Sequence, residues 1–500
     1  MGKYAVLIDT TSIQKYVFGS NKLKENLGAS YLVSELYYSM IDKNDAVKGI
    51  NYEEGYKGGG NALLFFEGEN GKENAEKFVS EWTRSLLVLA PGINVATAID
   101  EWKEKEIGFT KARDALFNKL RENKSRYIPQ TITQRHGISA ECQSDGYSMD
   151  IWSESYNDNG SINKENTNYV SAATYAKLTA YKKAKGVLES EYKELLKNKF
   201  CFTGELNKLG QSWGSENHIA IVHIDGNSMG DRFKSLKTLE ETKKLSKDVE
   251  KAVRESFNVL LTKIIEENLN ETTKDYLNII EGLLPIRSII MGGDDITFVC
   301  DGRMGIYYAK IFMEAFQNRK DEDGKNLELT SCAGIAVIKT NYPFYKGYQL
   351  AEELCANAKS KRREMKDRGS WLDFHIAYGG FSGELSDIRK ARYRVNQGSL
   401  IYRPYKILDS SEFSFETFIA NAQVLKSDWP NNKIKELREI LTLDKAASGI
   451  FINEMNAREL LLPDICKKGY NSNLFLNDKT PYFDMIELLE YYPEYKLRGV

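Results

Sequence analysis

The sequence predicts an α+β fold in which one βαββαβ unit occurs twice, joined by a small linker module and followed by a C-terminal helical domain. Three observations carry that expectation. The apolar, β-rich runs Tyr4-Ala5-Val6-Leu7-Ile8-Asp9 and Ile219-Ala220-Ile221-Val222-His223-Ile224-Asp225 each end in an aspartate. A helical stretch and then a glycine hairpin follow each run: Gly58-Gly59-Gly60-Asn61 in the first copy, Met291-Gly292-Gly293-Asp294-Asp295 in the second. A further helix and strand close each copy in the same order, which is the mark of an internal repeat.

In the first copy, expected over residues 1–125, a helix runs through Ser30–Leu36 and Ala62–Phe66 is the strand leaving the hairpin. A helix near Glu73–Leu89 and a strand at Ile93–Ile99 complete it. Residues 126–215 read as a linker with helical character, and the Ser-, Asn-, Asp- and Gly-rich stretch Ser144–Thr167 as a long loop. In the second copy, residues 216–378, Val249, Val253, Phe257, Leu260, Leu261, Ile264 and Ile265 recur at helical spacing. After the hairpin come a helix around Ile306–Phe316, a strand Cys332–Ile338, a helix Gln349–Met365 and a strand Trp371–Phe374. The βαββαβ order is ferredoxin-like, with helices expected on one face of the sheet. Gly379–Gly383 reads as a linker into residues 379–500, where helical spacing recurs at Phe415–Leu425, Ile434–Leu443 and Met485–Leu489.

Five hundred residues suffice for several domains with buried cores. A formal net charge of -2 argues against a wholly basic nucleic-acid binder, while leaving room for local basic patches. The six cysteines, Cys142, Cys201, Cys300, Cys332, Cys355 and Cys466, are scattered without CxxC spacing, which suits free thiols in a reducing cytoplasm and gives no zinc pattern. No signal segment or long apolar run is present, so a cytoplasmic protein without a membrane partner is expected.

The second hairpin carries the chemistry. Asp294 and Asp295 are adjacent at its tip, and Asp225 ends the strand upstream. Carboxylates held side by side repel unless a cation compensates them, and oxygen ligands of this kind suit Mg2+ (or Mn2+). The pattern points to metal-dependent nucleotidyl transfer. The turn Gly226-Asn227-Ser228-Met229-Gly230 leads into a helix, where main-chain N–H groups can cradle phosphates. The first hairpin keeps its glycines and lacks both acids, so Asp9 is read as structural. His223, inside a strand, is read as a core histidine. Arg389, Lys390, Arg392, Arg394, Arg403 and Lys406, interleaved with Tyr393, Tyr402 and Tyr405, form a stretch suited either to RNA or to a solvated basic face.

Over residues 1–375 these motifs resemble one family, the large polymerase/cyclase subunit of type III CRISPR effector complexes (CRISPR-associated protein ten). The second copy contributes Ile224-Asp225-Gly226-Asn227-Ser228-Met229-Gly230, Gly292-Gly293-Asp294-Asp295, Ser331-Cys332-Ala333-Gly334-Ile335-Ala336-Val337, Ala351-Glu352-Glu353-Leu354 and Ala358-Lys359. The first contributes Ile8-Asp9-Thr10-Thr11-Ser12, Leu27-Gly28-Ala29-Ser30-Tyr31-Leu32 and the GGGN hairpin. The resemblance implies two palm, or GGDEF-like, domains, of which the second is catalytic. It implies synthesis of cyclic oligoadenylates from ATP, with Asp225, Asp294 and Asp295 as catalytic acids and Ile224 beside them in the metal set. Nucleotide contacts would come from Gly226, Asn227, Ser228, Met229, Gly230, Gly292, Gly293 and Lys359, and from Gly59 and Gly60 of the first hairpin, which is expected to lie near the second. Guide RNA, target RNA and other CRISPR effector subunits are the implied partners. None of the histidines His136, His218, His223 and His375 precedes an aspartate, so the HD nuclease of many relatives is not expected. Two alternatives stay open: a stand-alone defence cyclase making a cyclic dinucleotide, and a non-catalytic scaffold of an RNA complex.

Overall fold

The computed structural model describes the chain apart from residues 1, 59, 127–139, 155–161, 163–167, 210–216, 269–275, 278–281, 380–382, 412 and 498–500. Gly59, His136, part of the polar stretch and part of the glycine linker therefore lie outside the described residues. The chain divides into two compact units. One comprises Met1–Glu205, Ser228–Arg254 and Ile289–Asp294; the other comprises Leu206–Asn227, Glu255–Ser288 and Asp295–Val500.

The first sheet contains β1 (Lys3–Thr11), β2 (Glu53–Gly58), β3 (Asn61–Glu67) and β4 (Asn94–Glu101) in the order β2-β3-β1-β4, antiparallel throughout. Around it lie α1 (Ile13–Phe18), α2 (Leu23–Glu35), α3 (Gly71–Leu89) and α4 (Phe109–Arg126). Strand alternation sends Ala5, Leu7 and Asp9 to one face and Val6 and Ile8 to the other. On the first face Ala5, Leu7, Leu63 and Phe65 pack with Phe109, Ala112, Leu116 and Leu120, the helical stripe of α4. On the opposite face Phe66 meets Phe78 of α3, with ring centroids 5.5 Å apart. In the linker, Ile151–Ser153 pairs with Asn168–Val170. The helix that follows, α5 (Ala172–Glu191), approaches α2 so closely that a Cβ on Gly28 would sit 1.7 Å from the Lys177 carbonyl oxygen.

The second sheet repeats that order and extends it. Its strands are β5 (His218–Gly226), β6 (Ile286–Gly292), β7 (Asp295–Asp301), β8 (Ser331–Lys339), β9 (Trp371–Ile376) and the short β10 (Tyr405–Lys406), arranged β10-β9-β8-β5-β7-β6. With it come α6 (Met229–Ser235), α7 (Leu239–Asn268), α8 (Gly305–Gln317) and α9 (Phe344–Glu364). All the apolar positions expected to form the stripe of α7 are buried. The core helices α7 and α8 pack together, the Tyr307 hydroxyl donating to Glu267 at 2.7 Å, while α9, outside the βαββαβ core, takes the opposite face. Ala220 faces α8, where a Cβ on Gly305 would come within 2.2 Å of its own Cβ. Ile221, His223 and Asp225 face the other way, and the His223 ring lies 5.7 Å from that of Tyr348 on α9. The reason is topological: β9 runs parallel to β8, and parallel neighbours require a crossover helix. That helix, α9, starts at Phe344 directly after Pro343, earlier than the expected Gln349.

Beyond β9 come α10 (Leu385–Tyr393), α11 (Phe415–Asp428), α12 (Asn431–Ile440), α13 (Lys445–Ala457) and α14 (Tyr482–Glu490). Here the stretch considered for RNA is largely turned inward, which corrects that expectation. The buried Arg403 donates to Glu487 Oε2 at 2.6 Å and lies 3.4 Å from Asp484 Oδ1. Arg389 grips both carboxylate oxygens of Asp373 at 2.8 and 2.9 Å. Lys406 donates to Asp367 at 2.7 Å. Tyr393, Tyr402 and Tyr405 are buried, and the Tyr393 and Tyr405 hydroxyls donate to Glu487 and Asp484. Aromatic groups alternating with arginines here supply the lining and countercharges of a buried ionic cluster. Lys390, Arg392 and Arg394 remain exposed. Removing Arg403 would leave Asp484 and Glu487 without their guanidinium. Arg403→Leu is therefore expected to lower the unfolding free energy by about 3–5 kcal/mol in chemical denaturation; a loss below about 1 kcal/mol would show that the cluster is not held by this charge.

Candidate active site

The site begins with a two-residue turn. β6 ends at Gly292 and β7 starts at Asp295, leaving Gly293 and Asp294 as the loop. Gly293 has φ 61, the conformation that favours glycine at the first central position of a II′ hairpin. Gly292 is not among the positive-φ residues, so one glycine rather than two supplies the left-handed turn. A Cβ on Gly292 would meet nothing within 4 Å, so its use is to leave space above the hairpin.

Asp295 stands directly opposite Asp225 in the β5–β7 ladder, and Asp225 is flanked on its other side by Cys332 of β8. Carboxylate oxygens of Asp225, Asp294 and Asp295 all lie within 4.8 Å of one another, and all three residues are partly exposed. Ile224, buried and one residue earlier, has only its main-chain carbonyl to offer a cation. Three hard anionic oxygens so placed fit Mg2+ or Mn2+. A cationic group does sit here: Lys359 of α9 forms an ion pair and hydrogen bond with Asp225. Burial draws the Lys359 ammonium down, but the Asp225 charge and hydrogen bond outweigh it and hold its pKa above the ordinary value.

What places Lys359 there is the closeness of α9 to the sheet. A Cβ on Gly334 would lie 1.9 Å from the Ala351 carbonyl oxygen, so only glycine lets the helix settle at this depth. The turn after Asp225 is built around Ser228, in the left-handed region at φ 59. Asn227 is buried, its side-chain amide donating to Thr330 Oγ1 at 3.1 Å and its main-chain N–H to the Thr330 carbonyl oxygen at 2.8 Å, so both tie the turn to the start of β8. His223 is the core histidine expected: its Nδ1 lies 3.1 Å from Thr297 Oγ1, and burial pushes its pKa down to about 4 against the pull of Asp225.

The first copy repeats these relations in detail. Asp9 stands opposite Asn61 as Asp225 stands opposite Asp295, and Ser12, at φ 56, opens α1 as Ser228 opens α6. Asp9 is ion-paired with Lys124 of α4. Lys124 is the residue that sequence reasoning missed, and a signal for it existed. Phe109 begins α4 and Phe344 begins α9, and each lysine lies at the same offset along its helix. Within the first unit, the hairpin residues Gly58 and Asn61 line the same cavity, of about 740 Å3, as Gly293 and Asp294. Its walls also include Tyr56, Trp102 and Phe109, and Met229, Gly230 and Phe233 of α6. Gly60 adopts φ 81 beside Ile13.

This geometry defines a tandem-palm protein with one acidic and one substituted hairpin. Residues 218–369 match the second palm domain of Cas10/Cmr2, so this segment belongs to that family and the resemblance drawn from the motifs is borne out. No curated protein matches the chain. Among solved structures, the Csm1–Csm4 cassette in complex with cA4 matches at a TM-score of 0.55 and 11% identity, over 97% of this chain and 70% of that one. Csm1 from T. onnurineus matches at 0.52 and 12% identity, over 100% and 70%. The Csm1–Csm4 cassette with one ATP matches at 0.51 and 13% identity, over 100% and 70%. At such identities the likeness is one of fold. Among the described residues no helix is long and apolar enough to cross a membrane.

The depressed pKa of His223 has a consequence for stability. The folded protein keeps the ring neutral, whereas the unfolded chain takes up a proton below about 6.5. The stabilisation is thus complete above pH 6.5 and is lost as pH falls toward 4. Over that window the wild type should lose about 3 kcal/mol more than His223→Gln, which cannot titrate. Parallel pH profiles for the two proteins would mean that the ring protonates freely in the fold.

Proposed function

We propose that the chain is a Mg2+-dependent nucleotidyltransferase that makes cyclic oligoadenylates from ATP within a type III CRISPR effector complex. The observation that carries this reading is the convergence of Asp225, Asp294 and Asp295 within 4.8 Å, inside a segment matching the Cas10/Cmr2 second palm. The matching Csm1–Csm4 cassettes, in complex with cA4, with pppApA and with one ATP, support both the substrate class and a partner subunit of that kind. In this reading residues 1–125 are the first palm, 126–215 the inter-palm module, 216–378 the catalytic palm and 379–500 the C-terminal domain.

The three carboxylates would hold the divalent metal, with the Ile224 carbonyl as a further oxygen. Bound there, the metal would lower the pKa of the attacking ribose hydroxyl and offset charge on the triphosphate and departing pyrophosphate. The chain's own groups do the rest. Gly292 and Gly293 leave the hairpin open to a nucleotide, and in the turn Gly226–Gly230 the main-chain N–H groups of Met229 and Gly230, at the start of α6, would meet a phosphate, that of Asn227 being bonded to Thr330. Lys359 is already charged, and moving its ammonium from the Asp225 carboxylate to a phosphate oxygen keeps it paired throughout. The aromatic cavity, lined by both Gly58 and Gly293, is suited to hold the second nucleotide in line with the first.

Asp294→Asn should lower nucleotide incorporation by about 100-fold or more while leaving the fold intact. Asp225→Asn should do the same, and the double variant should be little worse, because the residues act as one unit. Product analysis by mass after incubation with ATP and Mg2+ reads both effects. Turnover of Asp294→Asn within about threefold of wild type would place the metal elsewhere.

A further inference from the structure

A second feature of the first unit bears on how its cavity keeps its shape. α6 is one turn past the metal-site strand and only seven residues long, with Met229 its one buried residue. A helix so short is not stable by itself, and its last carbonyls lack regular α-helical partners; that of Phe233 accepts from the Leu236 N–H at 3.3 Å. Arg113, on α4, supplies further partners. Its Nη1 donates to the carbonyl oxygens of Phe233 at 3.1 Å and Leu236 at 3.3 Å, and its Nη2 to that of Lys234 at 3.1 Å. Nε and Nη2 also reach Asp114 Oδ1 at 3.2 and 3.1 Å, so every guanidinium nitrogen is engaged. The side chain is 13% exposed. A cation at the negative end of a helix is favourable, and hydrogen bonds from a charged donor are the stronger kind. Lysine offers no such planar fork.

We propose that Arg113 is a positioning residue: by clamping the C-terminal carbonyls of α6 it fixes the wall of Met229, Gly230 and Phe233 against Tyr56, Trp102 and Phe109, and so sets the width of the nucleotide cavity. This rests on the proposed nucleotide reading of that cavity. Arg113 also lines that cavity and lies 5.7 Å from the centroid of the Phe109 ring, but its guanidinium nitrogens are committed to the α6 carbonyls and Asp114, so the role assigned to it is positioning.

The test compares the full-length wild type with Arg113→Ala and Arg113→Lys in two measurements. In hydrogen–deuterium exchange without nucleotide, the amides of residues 232–236 should exchange about tenfold faster in Arg113→Ala, with those of β1 and β3 within about twofold of wild type. Arg113→Lys should fall between, because one ammonium reaches fewer of the three carbonyls. In ATP turnover, Arg113→Ala should raise KM about tenfold with kcat within about threefold, and Arg113→Lys should restore part of the loss. Should Arg113→Ala fail to fold, the lysine variant carries both comparisons. Unchanged exchange at residues 232–236 overturns the clamp. Faster exchange with an unchanged KM, or with kcat alone reduced, overturns the positioning role. A wild type that does not turn over ATP overturns the nucleotide reading, while the exchange measurement still decides the clamp.

Discussion

Asp225 and Asp295 sit directly opposite each other on adjacent strands, with Asp294 next to them, and much of the second palm is arranged around that repulsion. Two carboxylates a few ångströms apart in a partly desolvated place repel by several times their interaction in water. The fold answers with Lys359, delivered by a crossover helix that only a glycine at position 334 lets approach. The ammonium is paired with the Asp225 carboxylate, and the three acids together make the oxygen-rich side of the site. In the proposed reading a divalent cation would take the place of the lysine beside Asp225, and the ammonium would pass to an incoming phosphate.

The first palm shows what remains when the hairpin acids are replaced. Its Asp9 keeps its place in β1 and its own helical lysine, Lys124, but it faces Asn61 where Asp225 faces Asp295. With one carboxylate and one ammonium the charges cancel and no excess negative charge is left for a metal. The ion pair has become a structural contact between β1 and α4, and the hairpin's conformational freedom at Gly58 and Gly60 is what persists. Within the first unit, that copy lends Tyr56, Trp102 and Phe109 to the cavity.

Much of this was legible in the sequence. The strand-ending aspartates, the hairpin glycines and the stripe of Val249 to Ile265 all specify local structure through short-range rules, and both sheets have the expected strand order. Relations between elements distant in the chain were less visible. That α9 covers the face opposite α8 depends on β9 adding parallel to β8, which no periodicity reveals. Asp9–Lys124 and Arg113 with the end of α6 are meetings of a helix with a partner far along the chain, and their residue types look like ordinary surface. The stretch from Arg389 to Lys406 misled for a related reason. Arginines among tyrosines have the same composition whether they meet phosphates or buried carboxylates, and the deciding residues, Asp373, Asp484 and Glu487, lie elsewhere in the sequence.

The central claim is that the three carboxylates together form a divalent-metal site. Anomalous diffraction from crystals grown with Mn2+ and a non-hydrolysable ATP analogue tests it most directly. The account predicts a manganese peak bounded by the carboxylates of Asp225, Asp294 and Asp295, with Lys359 moved from Asp225 onto the triphosphate. A nucleotide bound with its phosphates away from the hairpin, no manganese among the three acids and Lys359 still on Asp225 would contradict it.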